Sequence, residues 1–406
     1  MAALRATALC TCLPLVASLF AAAPVRAADS LAQAMAGGDA GIAFRLRYEG
    51  VDDDAVAEDA DATTLRTRLA YTTGHWHGLQ LGVELDHVGH LFSGDFNDTR
   101  NGRTTRPVVA DPDGADLNQA WLAWRGTAFA AVAGRQRINL GNQRFVGSVG
   151  WRQNEQTFDA LRLTATPSQA LSVDYAWVAD TRRVFGPEDG TPPASLASDH
   201  HLLDLRWNAR PEVSMGGYAY LLDFEDAPAL SSRTVGGYLA GEVKRERIGF
   251  GYRLELARQS DHAGNPVDFE AGYHFAGAHL GLGPVRLEAA VERLGADREA
   301  GVAVQTPLAT LHAFQGWSDK FLTTPAAGIR DLRFGVGGSL AGTRLQAAWH
   351  RYRSDIGGLD YGTELDLQAS RSFASRYSLT AKFADFHADG FARDTRKFWL
   401  MAEAAF

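Results

Sequence analysis

The amino-acid sequence predicts an all-β protein, a transmembrane antiparallel up-and-down β-barrel of about 18 strands. Three observations predict this fold class. The chain begins with an export signal, apolar and polar residues alternate in segments of about ten residues, and short and long connections alternate between these segments. A helical membrane span is excluded after the first thirty residues, because no apolar run there reaches about 18 residues.

Residues 1–27 are typical of a signal peptide that is cleaved after export. Arg5 supplies a positive charge, residues 6–23 are apolar but too short to span with these flanks, and residues 25–27 (Val-Arg-Ala) form a small-x-Ala cleavage site. We expect residues 28–406 to form one barrel domain in the outer membrane of a Gram-negative cell.

The composition of the mature chain narrows the function classes. Both cysteines, Cys10 and Cys12, lie in the signal peptide, so we expect no disulfide. The mature chain has 406 − 27 = 379 residues, and without Arg5 and Arg26 its net charge is (40 − 2) − 48 = −10. This acidic balance argues against a nucleic-acid partner.

Strand-like alternation recurs along the chain and is clearest after Ile248, where Phe250 and Leu254 alternate with Gly251 and Glu255. One face of each segment would contact lipid and the other the lumen. Eighteen segments follow this pattern, beginning near residues 41, 63, 78, 116, 128, 157, 170, 200, 213, 233, 246, 267, 284, 329, 343, 359, 375 and 396.

The connections and the last residue agree with a barrel. Short connections such as 74–77 and 126–127 separate long ones such as 92–115 and 139–156, whereas a two-sheet sandwich would show no such asymmetry. The final segment ends in Phe406, which resembles the signal that the barrel assembly machinery recognises. We therefore expect that machinery, outer-membrane lipid and lipopolysaccharide as partners.

Arginine dominates the basic residues, since only four of the 40 are Lys. Many Arg fall on the polar side of the predicted strands, which in a barrel faces the lumen: Arg45, Arg47, Arg66, Arg68, Arg135, Arg137, Arg162, Arg206, Arg253, Arg286 and Arg333. Carboxylates fall there as well: Glu84, Asp86, Asp204, Glu255, Asp268, Glu270, Glu288, Glu292, Glu364 and Asp366. Two explanations stay open, an anion-conducting surface and internal ion pairs that stiffen a wide barrel.

Two long segments have specific sequences. Residues 134–147 (GRQRINLGNQRFVG) with 150–160 (GWRQNEQTFDA) form the first, and residues 306–322 (TPLATLHAFQGWSDKFL) form the second. Both resemble the alginate export family of outer-membrane barrels, and the resemblance covers essentially the whole mature chain. It implies an 18-stranded channel with an Arg-bearing constriction for an acidic polysaccharide, assisted by inserted loops and by periplasmic export components.

When the pore residues of the family are carried over by position, the resemblance implies an anion-selective pore lined by six arginines: Arg47, Arg68, Arg135, Arg137, Arg144 and Arg152. The second loop would form a constriction with His312, Phe314, Trp317 and Asp319. Its aromatic residues would either stack on sugar rings or pack the loop into the lumen. We interpret His312 and Asp319 as hydrogen-bonding partners rather than metal ligands, and we expect no cofactor.

Three alternatives remain. The first is a porin of the same fold for a small solute, such as an organic acid or an apolar nutrient. The second is a surface binding protein built on a closed barrel. The third is an enzyme, whose site would have to consist of Asp199, His200, His201 and nearby Ser198. No nucleophile elbow appears in the sequence, and two adjacent His on a strand point to opposite faces. We therefore expect no catalytic or metal site.

Overall fold

The computed structural model describes residues 28–210 and 212–406, so the predicted signal peptide lies outside the described residues. The described residues form a barrel, one short α-helix α1 (Leu31–Ala36), two single-turn 3-10 helices (Pro228–Leu230 and Leu311–Ala313) and a small hairpin of β14 (Ala296–Asp297) and β15 (Val302–Ala303). The barrel strands are β1 (Asp39–Asp53), β2 (Ala60–Thr72), β3 (Leu79–Asp95), β4 (Gly114–Arg125), β5 (Phe129–Gln136), β6 (Thr157–Ala165), β7 (Leu171–Arg182), β8 (Ser195–Arg210), β9 (Val213–Leu222), β10 (Ser232–Arg245), β11 (Ile248–Asp261), β12 (Glu270–Leu282), β13 (Val285–Leu294), β16 (Ile329–Leu340), β17 (Thr343–Arg353), β18 (Asp360–Phe373), β19 (Tyr377–Ala388) and β20 (Thr395–Ala405).

The barrel is a single antiparallel sheet of 18 strands in which each strand pairs with its neighbours in sequence. β20 closes the ring by pairing with β1, from Ala43 opposite Ala405 to Asp53 opposite Thr395. The backbone N–H of Phe406 also donates to the carbonyl of Ile42 at 2.9 Å. Closure pairs the backbone of both terminal strands, which a sheet in hydrocarbon requires. The fold class that the sequence predicts is confirmed.

Connections on one rim are short, such as 246–247, 283–284, 341–342 and 374–376, and connections on the other rim are longer. The short rim is therefore the periplasmic one. Strands begin within about three residues of their predicted starts, except β8, which begins at Ser195 instead of near residue 200.

The outer face carries a band of exposed apolar side chains, including Leu69, Leu254, Leu287, Phe334 and Leu365. Polar and charged side chains on the alternate positions point inward and are largely buried. No helix among the described residues is long and apolar enough to cross a membrane.

The prediction for the start of β12 was wrong. Asp268 and Glu270 were expected to face the lumen, yet both are exposed, and Glu270 forms an ion pair with Arg258 on the outer face. Phe269 and Tyr273 are instead buried inside the barrel. This end of the strand projects beyond the lipid, so its outward positions face water while its inward positions pack against an inserted loop.

Replacing Leu254 by Arg should destabilise the barrel by about 2–4 kcal/mol, because Leu254 lies in the middle of β11 and faces lipid. The matched Leu345→Arg change, close to the periplasmic end of β17, should cost only about 0–1 kcal/mol. Urea unfolding in lipid vesicles measures both free energies. Equal costs at the two sites would contradict the assigned membrane band.

Candidate channel constriction

Two long loops occupy the lumen. The first, residues 137–156, connects β5 to β6 and is called the β5–β6 loop; the second, residues 295–328, connects β13 to β16 and is called the β13–β16 loop. Both contribute buried side chains, such as Ile138, Arg144 and Leu308. Eighteen strands enclose more space than their own side chains can fill, so these loops decide how much of the lumen stays open.

The β5–β6 loop crosses the lumen from one wall to the opposite wall. At its start, the guanidinium of Arg137 donates to Glu84 on β3. Farther along, Nε of Arg144 donates to Glu292 on β13 at 2.7 Å, on the other side of the 18-stranded ring. The next residue, Phe145, packs edge-on against Tyr273 of β12, with ring centroids 5.1 Å apart.

The β13–β16 loop packs against β17, β18 and β19. Phe321 lies among aromatic rings of all three strands and is buried. The backbone N–H of Ser318 donates to Glu364 at 2.7 Å. Gly316 has a φ of +78°, and a β-carbon at this position would overlap Glu364 and Tyr352, so the close approach of the loop to the wall requires glycine.

The two loops are joined into one unit. Gly147 N–H donates to the carbonyl of Leu308 at 2.8 Å, and Thr310 N–H donates to the carbonyl of Gln143 at 3.1 Å. Arg144 completes the junction, because its two terminal nitrogens donate to Thr306 of the other loop at 3.1 Å and to its Gln315 at 3.0 Å. A single buried guanidinium therefore connects both loops and the β13 wall.

A first cluster of buried charges fixes the β5–β6 loop to β2 and β3. Three guanidinium groups face three carboxylates there: Arg66, Arg68 and Arg137 against Glu84, Asp86 and Glu155. Burial alone would raise the pKa of Glu155, but Arg137, Arg68 and Arg66 outweigh it and hold that pKa well below its usual range. The cluster is balanced in charge, as buried ions must be.

A second cluster lies between both loops and the wall of β1 and β20. It is also balanced and contains Arg47, Arg152 and Lys397 with Glu49, Asp111 and Asp319. Burial would raise the pKa of Asp319, yet Lys397, His312 and Arg152 lower it well below its usual range. The charges of Lys397 and Arg152 and the hydrogen bond from His312 thus hold the loop acid in its ionised form.

His312 connects this second cluster to a group of tryptophans. Its ring stacks on Trp151 of the other loop at a centroid distance of 4.3 Å, and its two nitrogens contact Asp319 at 2.8 Å and Lys382 at 2.7 Å. Burial, reinforced by the ammonium of Lys382, lowers the pKa of His312 to about 3. Neutral His312 therefore donates from Nδ1 to Asp319 and accepts at Nε2 from Lys382.

A narrow gap remains where the tip of the β5–β6 loop faces β8–β11. It encloses about 10 Å³ beside Asn142 and Tyr238, room for about one water molecule. On the wall, Arg253 lies 4.0 Å above the Tyr238 ring and pairs with Glu255 at 2.7 Å. Arg206 is exposed on the same inner wall.

Farther around the inner wall, on β13 and β16, two arginines share one carboxylate. Glu288 pairs with Arg286 at 2.6 Å and with Arg333 at 3.5 Å. A single carboxylate therefore serves two guanidinium groups, whose side chains are 25% and 33% exposed. Both guanidinium groups are therefore partly exposed to the lumen.

The six arginines that the resemblance implied fall into two groups. Arg47, Arg68, Arg144 and Arg152 are buried in the contacts of the loops. Arg135 and Arg137 are partly exposed, and Arg135 pairs with Asp159 at 2.8 Å. In the second loop, His312 and Asp319 pair with each other, while Phe314 lies under Arg144 and Trp317 lies beside Lys382.

Sequence reasoning missed Glu155, Lys382 and Trp399 as partners of these residues. Lys382 and Trp399 sit on inward positions of β19 and β20, so strand alternation could have placed them in the lumen. Glu155 lies in a loop, where no periodicity applies. Glu155 pairs with Arg68 and Arg137 because the loop enters the barrel lumen, which no local sequence pattern predicts.

Two other groups of potential ligands are occupied by local contacts. His200 is buried against Phe224, whereas His201 is exposed on the other face. His90, Asp98 and Asp113 bring ligand atoms within 4.8 Å of one another. Asp98, however, accepts from two backbone N–H groups of its own loop, and His90 contacts the carbonyl of Asp111 at 3.0 Å.

A closed 18-stranded barrel with loops folded into its lumen defines an outer-membrane channel of the porin type. The sequence profile described as alginate export matches residues 38–279, which is more than half of the chain. The protein belongs to the alginate export family. Comparison with curated protein sequences gives no match.

Solved structures share the fold. OccAB2 of Acinetobacter baumannii superposes with a TM-score of 0.74 at 13% identity, covering 92% of this chain and 99% of that chain. OccK9 (OpdG) of Pseudomonas aeruginosa gives 0.72 at 16% identity with the same coverage. OpdK of Pseudomonas aeruginosa, solved with vanillate, gives 0.70 at 12% identity, again with 92% and 99% coverage.

Replacing Arg144 by Met should release the two loops from each other and from β13. It leaves Glu292 buried without this partner, which costs about 3–5 kcal/mol. Planar-bilayer recordings should show larger and noisier conductance. Arg162→Met is the matched control, since Arg162 and its partner Asp174 are about one-fifth exposed, and its conductance should stay near that of the wild type. If Arg144→Met shows the same conductance and the same current noise as the wild type, Arg144 does not anchor the loops.

Acidification should also loosen the β13–β16 loop. The pKa of His312 is lower in the packed loop than the ordinary value of about 6.5. A released loop therefore binds protons more readily, and the packed state loses stability as the pH falls from about 6.5 towards 3. Asp319, whose pKa is also lowered, acts in the same direction below about pH 4.

Single-channel recordings between pH 7 and pH 4 test this effect. Loop-dependent opening should increase as the pH falls. In His312→Gln, which has no titrating group at this position, the change above about pH 4 should be much smaller. Identical pH profiles for the two proteins would show that His312 does not control the loop.

Proposed function

We propose that the protein is a selective outer-membrane channel for small organic anions, with carboxylates as the substrate class. The observation that carries this proposal is a set of partly or fully exposed arginines on the inner wall of β8–β16. Arg206 and Arg253 lie there next to Tyr238, and Arg286 and Arg333 share one carboxylate. A guanidinium presents a planar fork that matches a carboxylate.

The loops inside the lumen favour a small solute. The β5–β6 loop crosses the barrel and is fixed to opposite walls by ion pairs with Glu84 and Glu292. The structure of OpdK contains vanillate, a small aromatic carboxylate, and this supports the same substrate class within the shared fold.

An acidic polysaccharide is the second candidate, and membership of the alginate export family favours it. A polymer must keep the path open along its whole length, so the two loops would have to leave the lumen together. The contacts between Arg144, Glu292 and Gln315 oppose that movement. Export would also require periplasmic partners, whereas a channel for small anions conducts on its own.

The test measures the reversal potential across a planar bilayer under a salt gradient. The wild type should prefer anions, and the double variant Arg206→Gln, Arg253→Gln should lose a measurable part of that preference because two of the four accessible guanidinium groups are gone. Arg103→Gln is the matched control, since Arg103 lies in an extracellular loop and pairs with Asp95.

Solute uptake into protein-containing vesicles separates the two candidates. Small aromatic and aliphatic carboxylates should enter faster than their neutral amide analogues, and oligomers of uronic acid should stay outside. Entry of the oligomers at a comparable rate would favour the polysaccharide. Cation preference of the wild type, or no open state even after the β13–β16 loop is shortened, would overturn the proposal.

A further inference from the structure

A row of basic residues lies on the outer face of the barrel, at the extracellular end of the strands. His274, Arg293, Arg330 and Arg353 are directly opposite one another across β12, β13, β16 and β17. They share the outward-facing positions of these strands with Val291, Leu332, Phe334 and Trp349. The row therefore marks the upper border of the apolar band that contacts lipid.

Arginines side by side repel one another unless anions separate them. The protein supplies too few of these anions. Asp355 accepts from both Arg293 and Arg330, each at 2.9 Å, and Asp360 pairs with both Arg351 and Arg353, at 2.7 and 3.4 Å. Four guanidinium groups thus share two carboxylates.

The excess charge is accessible from the membrane side. The side chains of Arg293, Arg330, Arg351 and Arg353 are 38%, 55%, 42% and 56% exposed. Asp355, in contrast, is fully buried beneath its two arginines. Each guanidinium has five N–H donors, so unused donors point outward at the border between lipid and water.

An apolar groove of about 470 Å³ begins at this row. It forms because Ala276, a small residue, lies directly between Leu254 and Val291 in the next row towards the membrane centre. Arg293 and Arg330 line the groove together with these apolar side chains. Positive charge above and an apolar groove below match an amphiphile with an anionic head and an acyl chain.

We infer that this surface binds a phosphate-bearing lipid of the outer leaflet, of the lipid A type, with its phosphate on Arg293 and Arg330 and an acyl chain in the groove. The phosphate supplies the negative charge that the row lacks and accepts several N–H bonds at once. Its site on the outer wall is separate from the conducting path inside the barrel.

Binding of lipid A to the protein in phosphatidylcholine nanodiscs tests the inference, with native mass spectrometry or fluorescence as the readout. The double variant Arg293→Gln, Arg330→Gln should bind lipid A about tenfold or more weakly, because charge-assisted hydrogen bonds are lost. Removing the phosphates from lipid A should weaken its binding to the wild type to the same extent. Heat-modified migration in gels checks that each variant is a folded barrel.

Two further variants test the charge and the groove separately. Arg396→Gln is the matched control, because Arg396 is an outward arginine with its own carboxylate, Asp385, and its affinity should equal that of the wild type. Ala276→Leu fills the groove without changing any charge and should also weaken binding. Undiminished binding by the double variant, or equal affinity for lipid A without phosphates, would overturn the inference.

Discussion

The structure depends on closure of the sheet between β1 and β20. In hydrocarbon an unpaired backbone amide costs several kcal/mol, so the terminal strands must pair over their length, and they do so from Ala43–Ala405 to Asp53–Thr395. Closure separates the residues of each strand into an outer set and an inner set with different solvents. The apolar outer band and the charged inner wall both follow from this separation.

The inner space then imposes a second constraint, because 18 strands enclose a lumen too wide for their own side chains. Two loops fill much of it, and their backbone and charged groups need partners inside. Backbone bonds between the loops supply some, and two charge-balanced clusters that contain Glu155 and Asp319 supply others. Several arginines of the lumen therefore stabilise the loops, while others near Tyr238 stay accessible.

The inner and outer faces of this barrel wall thus share one arrangement, a carboxylate between two arginines. Inside, Arg286 and Arg333 share Glu288 on the lumenal wall. Outside, Arg293 and Arg330 share Asp355 at the lipid border. In both places two arginines are held together by one carboxylate. The strand alternation that separates the faces also keeps the two sites independent.

The sequence by itself determined the barrel, its strand number and the periplasmic and extracellular rims, because these follow from local alternation and from connection length. It also determined which side of most strands faces inward, and failed at Glu270, where the strand leaves the lipid. Only the tertiary structure decided that Arg144 joins two loops and a wall, and that arginines of β13 and β16 meet over Asp355. These contacts join residues far apart in the chain, and no local pattern records the distance between them.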